Sequence, residues 1–198
     1  MPRQADEQHR EELLDRIVLY VLKHGISDLS LRPLARAVKS SPRVLLYYFS
    51  SKEAMIVEVL AGARRRQQAA IEQTLQASPQ DDLELCWSLW SYMSAAKSIP
   101  LFRLFFEVYA LSLQDRKRFP HFFESAVGDW LSFLARPRLE RGVSKTDARA
   151  FATIVLAGFR GFLLDLCATG ERTRIDTAVR GWLGSLDAVT FTSKGARI

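Results

Sequence analysis

Residues 29–66 read LSLRPLARAVKSSPRVLLYYFSSKEAMIVEVLAGARRR, and their reading decides the fold. The stretch carries eight basic side chains (Arg32, Arg36, Lys39, Arg43, Lys52, Arg64, Arg65 and Arg66) against Glu53 and Glu58, so 8 − 2 = +6, the net charge of the whole chain. The other 160 residues carry 20 basic and 20 acidic side chains and sum to zero. Helix punctuation runs through the same segment. Ser30 is placed to cap a helix whose inward side is Leu31, Leu34, Ala35 and Val38, with Pro33 in the first turn, where a missing N–H is harmless. Lys39 and Ser40 make a tight turn. Ser41 is an N-cap type followed by Pro42 at the first helical position, which predicts a short helix ending near Phe49. Ser50 and Glu53 have capping-box spacing and open a long fourth helix to about Gln76.

Working outward, Leu13, Leu14, Ile17, Val18, Val21 and Leu22 recur at helical spacing and predict a first helix over about residues 8–24, closed by Gly25. After the break at 78–82, helices are expected at about 82–97, 100–113, 119–136, 145–169 and 173–191, with a break at 137–144. No segment alternates with period two. The expected class is all-α, with about nine helices. Its expected organisation is a helix-turn-helix domain over 1–52, a connecting fourth helix over 53–80 and a helical C-terminal domain over 81–198.

Composition narrows the partners. A pI near 9.6 with the excess charge in one segment points to a polyanion. Cys86 and Cys167 lie 81 residues apart in apolar segments and read as buried free thiols. His9, His24 and His121 have no metal spacing. The polar start MPRQADEQHREE is not a signal peptide, and no apolar run approaches ~18 residues, which argues against a membrane span. A cytoplasmic protein is expected, with no metal and no cofactor.

Two helices joined by a short turn, with a third packed behind, make a helix-turn-helix whose second helix enters the major groove of double-stranded DNA by its N-terminal end. Leu45 and Phe49 then face the core, and Arg43 and Tyr47 face outward with Leu46 and Ser50 alongside. The candidate DNA-facing set is Ser30, Arg32, Ser41, Pro42, Arg43, Leu46, Tyr47, Tyr48 and Lys52. Arg43 suits bidentate readout of guanine, and Lys52 at a helix start suits phosphate. Against this reading, a basic run is ordinarily a solvated face, and Tyr47 and Tyr48 also suit a core.

SLRPLARAVKSSPRVLLYYFSSKEAM resembles the helix-turn-helix of TetR-type transcriptional regulators, matching at Ser30, Leu34, Ala35, Val38, Ser41, Leu45, Phe49 and Lys52. The resemblance implies a third helix that reads bases, with Lys52 and hydroxyls at the helix starts holding phosphates. It departs from the pattern at three places: Lys39 replaces Gly, Ser40 replaces Val, and Leu46 replaces a phosphate-contacting Tyr. A turn of different shape or a strained lysine is therefore expected at 39, and the Tyr contact is expected to be lost or shifted to Tyr47 or Tyr48. Leu46 is also suited to touching a thymine methyl.

The C-terminal part is aromatic. Trp90, Phe102, Phe106, Tyr109, Phe123, Trp130 and Phe159 are candidates to line an apolar ligand cavity, although bundle core explains any one of them as well. Arg103 and Glu107, four apart, read as an ion pair or, for Arg103, a polar handle on a ligand. Asp165 is expected to pair with Arg160 or with a second subunit. Phe151, Val155, Gly158 and Phe162, and then Ile175, Val179, Trp182 and Leu186, form two seams stepping by three and four. They suggest a four-helix homodimer interface of the TetR type; an internal core is the other reading. Gly158, Gly161, Gly181 and Gly184 suggest close helix approach.

No Gly-rich phosphate loop, His-Glu-x-x-His or Gly-x-Ser-x-Gly is present, so no enzyme is expected. The expectation is a homodimeric, ligand-responsive repressor that binds a palindromic operator and is released by a small apolar or aromatic effector. The alternative is a ligand-independent or partner-protein-controlled DNA-binding protein.

Overall fold

A computed structural model describes residues 2–26, 28–76 and 82–187. Among these residues the chain is helical throughout, with nine α-helices, one π-helical segment and no strand. The helices are α1 Pro2–His24, α2 Leu31–Ala37, α3 Pro42–Phe49, α4 Lys52–Gln76, α5 Asp82–Met93, α6 Ile99–Gln114, α7 Trp130–Glu140, α8 Lys145–Thr169 and α9 Arg172–Asp187. The π segment, Glu124–Asp129, runs directly into α7. The expected break at 78–82 and the expected end of the last helix at 191 lie at least partly outside the described residues.

The compact units do not follow chain order. One comprises Met1–Arg66 with Pro100–Phe122; the other comprises Gln67–Ile99 with Phe123–Ile198. Nearly all of α6 therefore groups with the N-terminal helices, and 81–198 is not a single compact unit. The tie is visible at the α1–α2 loop, where the Ile26 N–H donates to Glu107 Oε2 at 3.3 Å. Such a contact joins residues 81 apart in the chain, which no local signal reveals.

In the first unit the α1 stripe Leu13, Ile17 and Val21 is fully buried, as are Leu34, Val38, Leu45 and Phe49. Gly25 has φ +71 and donates its N–H to the Val21 carbonyl at 2.9 Å, the expected left-handed cap. Helix α1 begins at Pro2 rather than near residue 8. Ala5, Glu7, Gln8 and Glu11 are good helix formers, so nothing local stops the helix there.

In the second unit α7 packs on α8, and α5 and α8 pack on α9. The start of α5 is held by Asp82, whose carboxylate accepts from Arg138 at 2.7 Å and also pairs with Arg141. Helix α7 continues through Pro137 to Glu140, four residues past the expected helix end at 136. Pro137 cannot donate to the Phe133 carbonyl, and the helix ends within its next turn, at Glu140. Cys86 and Cys167 form no disulfide, and the first is buried and the second half-buried.

Both aromatic seams turn inward. Phe151, Val155, Ile175, Val179 and Leu186 are buried within the single chain, leaving only Gly158, Phe162 and Trp182 partly exposed. As a surface for a second subunit the two seams are mostly spent on the chain's own core, because the same periodicity serves either purpose. Gly158 has a clear internal duty: a Cβ there would lie 2.3 Å from the Trp182 indole. That indole also meets Phe159 and Phe162, at 5.7 and 5.4 Å between ring centroids. Gly161, Gly181 and Gly184 have nothing within 4 Å of their Cβ positions.

Within this chain Asp165 does not pair with Arg160. It takes a bidentate contact from Arg174 at 2.8 and 2.9 Å. That hydrogen bonding holds its carboxyl below the usual carboxylate range. Arg160 instead donates to the Ala126 carbonyl of the π segment. By length and composition α8 is apolar enough to cross a membrane, with mean hydropathy 1.7 over an 18-residue window, so the expectation that no segment reaches that level is amended. A buried core helix passes the same test, and α8 contributes eight buried residues to its unit.

Candidate nucleic-acid interface

The candidate interface is built from the caps outward. Ser41 has extended backbone (φ −123°, ψ 155°), and its hydroxyl accepts the Val44 N–H at 3.2 Å. Pro42 occupies the first turn of α3, as the sequence predicts. From that start, the eight residues of α3 sort cleanly by face. Leu45 and Phe49 are buried against the unit's core, whereas Arg43, Leu46 and Tyr47 are exposed, Tyr47 by 74%.

The turn before α3 is a Schellman motif. The Ser40 N–H reaches the Ala35 carbonyl at 2.8 Å and the Lys39 N–H reaches Arg36 at 3.2 Å, with Lys39 left-handed at φ +54. Of the two turns expected at this position, the strained lysine is the one observed. A side chain there costs up to about 1 kcal/mol relative to Gly, but it adds one more ammonium just before α3.

The turn after α3 departs from expectation by one residue. Ser50 does not cap α4; it ends α3 in a tight turn at φ +59, with the Ser51 N–H on the Phe49 carbonyl at 2.6 Å. Ser51 is the cap, its Oγ accepting the Ala54 N–H at 3.0 Å. Two adjacent serines offer the same local signal, and the γ-turn at Ser50 decides between them.

Other predicted residues stand differently. Ser30 has N-cap backbone, but its hydroxyl makes no capping bond, and it is exposed with Arg32. Lys52 is half-buried; its Nζ donates to the Leu29 carbonyl at 3.1 Å and lies 3.9 Å from Glu53. Its first task is to brace the loop that starts α2. Tyr48 is turned toward α1, where its hydroxyl donates to Asp6 Oδ1 at 2.6 Å. That hydrogen bond, with some burial and the Asp6 charge, pushes the phenol up to about 12. Asp6 and Arg10 of α1 are contacts that sequence reasoning missed; the only signal was a polar, helix-favouring start.

The residues expected to line a ligand cavity divide between the two units. Phe102, Arg103, Phe106 and Tyr109 lie on α6 in the first; Trp90, Phe123, Trp130 and Phe159 lie in the second. Arg103 is exposed, while Glu107 reaches the α1–α2 loop. Trp90 is fully buried, donates Nε1–H to Asp176 at 2.7 Å, and has Phe159 and Phe162 at 5.9 and 6.2 Å. Among the described residues no cluster of three or more His, Cys, Asp or Glu is placed to hold a metal.

Residues 21–59, from the end of α1 into α4, match the family model described as bacterial regulatory proteins, tetR family. The helix-turn-helix segment is therefore of the TetR type. Solved structures match over nearly the whole chain. A Rhodococcus protein described as a TetR-family transcriptional regulator superimposes with a TM-score of 0.74 at 16% identity, over 92% of this chain and 98% of that one. A TetR transcriptional regulator from Legionella pneumophila gives 0.65 at 18%, covering 89% and 95%. GusR from Salmonella enterica gives 0.65 at 17%, covering 91% and 95%. At such identities the likeness establishes the TetR fold. No curated protein sequence matches the chain. The family match ends at residue 59 and so lies wholly within the unit that carries α3.

Proposed function

We propose that this TetR-family protein is a homodimeric, cytoplasmic repressor that binds a palindromic operator and is released by a small apolar or aromatic effector. The observation that carries the DNA half is the face of α3: Arg43, Leu46 and Tyr47 exposed together, in the segment that holds the chain's entire excess charge. Arg43 reads a guanine edge, worth about 1–3 kcal/mol of discrimination, and Leu46 packs on a thymine methyl. Ser41 and Pro42 fix the start of α3 against the groove. Arg32, Lys39 and Ser30 flank it toward the phosphates, and Lys52 sets the loop between them.

Dimerisation is proposed through the outer faces of α8 and α9. Leu164 is 54% exposed, and Gly161, Gly181 and Gly184 are open. In the most apolar 18-residue window of α8, 39% is buried by its own chain. That apolar remainder suits a second copy, and a two-fold pair spaces its reading helices about one DNA turn apart.

The test is selection of bound sequences from a random duplex library at about 150 mM salt, near physiological ionic strength. A palindromic motif supports a specific dimeric regulator and supplies the probe for an effector screen. Binding with no motif and a steep salt dependence contradicts it. Control by a partner protein, without an effector, is the second reading. It is favoured by Trp90 and Phe159, whose burial at 0% and 2% exposure is completed by their own neighbours.

A further inference from the structure

Four contacts tie the first turns of α1 to the C-terminal end of α3 and the start of α4. The Tyr48 hydroxyl donates to Asp6, and the His9 ring lies 5.9 Å from the Tyr48 ring. The Arg10 guanidinium sits 5.3 Å from the centre of the Phe49 ring and pairs with Glu58 of α4. Two phenols stand side by side where the TetR pattern has one, a residue earlier. The structure gives them opposite surroundings. Successive side chains on a helix point about 100° apart. Tyr47 is 74% exposed, whereas Tyr48 is half-buried against α1.

A phenol has one proton to donate, and that of Tyr48 is committed to a carboxylate. A phosphate approaching Tyr48 would meet an occupied donor and the Asp6 charge. Tyr47 carries neither handicap; its ring rests edge-on against Tyr48 at 5.0 Å, which fixes its direction.

We infer that Tyr47 is the phenol that meets DNA, and that Asp6 is a positioning residue that holds Tyr48 off the DNA as the strut behind it. The inference rests on the DNA-binding reading and deepens it by assigning the role of the displaced tyrosine. Loss of Tyr48 from the candidate DNA contacts follows.

The experiment uses the full chain and a duplex recovered by library selection, comparing wild type with Tyr47→Phe, Tyr48→Phe and Asp6→Asn by fluorescence anisotropy. Tyr47→Phe is expected to weaken binding about tenfold, the scale of one hydrogen bond to a charged group. Tyr48→Phe is expected to stay within about twofold, below the scale of a lost contact. Asp6→Asn removes a repelling charge and is expected to tighten binding to specific and random duplexes alike by up to about fivefold at low salt.

A readout independent of DNA is the titration of Tyr48, followed by carbon-13 NMR of labelled tyrosine from pH 8 to 11, with Asp6, His9 and Tyr47 the titratable neighbours. Tyr48 should remain protonated to pH 11 in wild type and titrate near the ordinary ~10 in Asp6→Asn. Equal losses for the two Phe variants, or an unchanged Tyr48 titration in Asp6→Asn, would overturn the assignment while leaving DNA binding intact. Failure of wild type to bind any duplex would overturn the DNA reading and the assignment together.

Discussion

The exposed face of α3 and the paired helices α8 and α9 carry the same kind of sequence pattern, residues recurring at three and four, yet the structure uses them oppositely. On α3, Leu45 and Phe49 go inward, and Arg43, Leu46 and Tyr47 are displayed. On α8 and α9 the conspicuous aromatic seams go inward, and the plain residues are displayed: Thr153, Ala157, Gly161 and Leu164, with Thr177, Gly181 and Gly184. Periodicity identifies the face that must be covered; it does not say whether the chain's own helices or a second copy will cover it. In this protein the seam residues are mostly covered from within, and the small residues together with Leu164 are left to be tested as the interface.

The largest effect expected from that contrast is at Gly158. A Cβ 2.3 Å from the Trp182 indole must push aside a rigid ring that is also held by Phe159 and Phe162. Gly158→Ala should therefore destabilise folding by about 1–3 kcal/mol in urea titration, the range for overpacking. Gly181→Ala meets nothing within 4 Å of its Cβ position and should leave the folding of the unit unharmed. Similar losses at both sites would break the distinction between the inner and outer faces.

Next is Leu164→Arg on the proposed dimer face. It should convert a dimer to a monomer in sedimentation, raising the dissociation constant by at least about thirtyfold, since a buried unpaired charge costs a few kcal/mol. The helical circular dichroism of the monomer should be retained. Val155→Arg, at 0% exposure, should instead prevent folding.

The smallest effect is at the turn before α3. Lys39→Gly relieves the left-handed strain and should raise stability by up to about 1 kcal/mol, or a few degrees in Tm. It should also flatten the salt dependence of DNA binding if the ammonium meets a phosphate. A Tm that falls would mean that the lysine is held at φ +54 by contacts worth more than the strain.

These outcomes bear on how far the sequence could be read. The start and inner face of α3 were legible almost to the residue, because their determinants are local: the Ser41 cap, Pro42 at the helix start and the four-residue spacing of Leu45 and Phe49. The Ser50 and Ser51 caps were misassigned by one residue because two serines present the same local chemistry. The placement of α6 was illegible, since it rests on contacts such as Ile26 with Glu107 across 81 residues. The clamp from Asp6 to Tyr48 was hidden for the same reason, spanning 42 residues from a start that looked merely polar.

The central claim is that the N-terminal end of α3 reads sequence through Arg43. It is tested most directly by measuring wild type and Arg43→Ala against the selected duplex and a panel of single base-pair changes. The account predicts that Arg43→Ala loses about 1–3 kcal/mol of preference at one guanine in each half-site and keeps the rest of the profile. An unchanged profile, with affinity lost evenly across all sequences, would make Arg43 a phosphate contact and contradict the assignment of α3 as the reader.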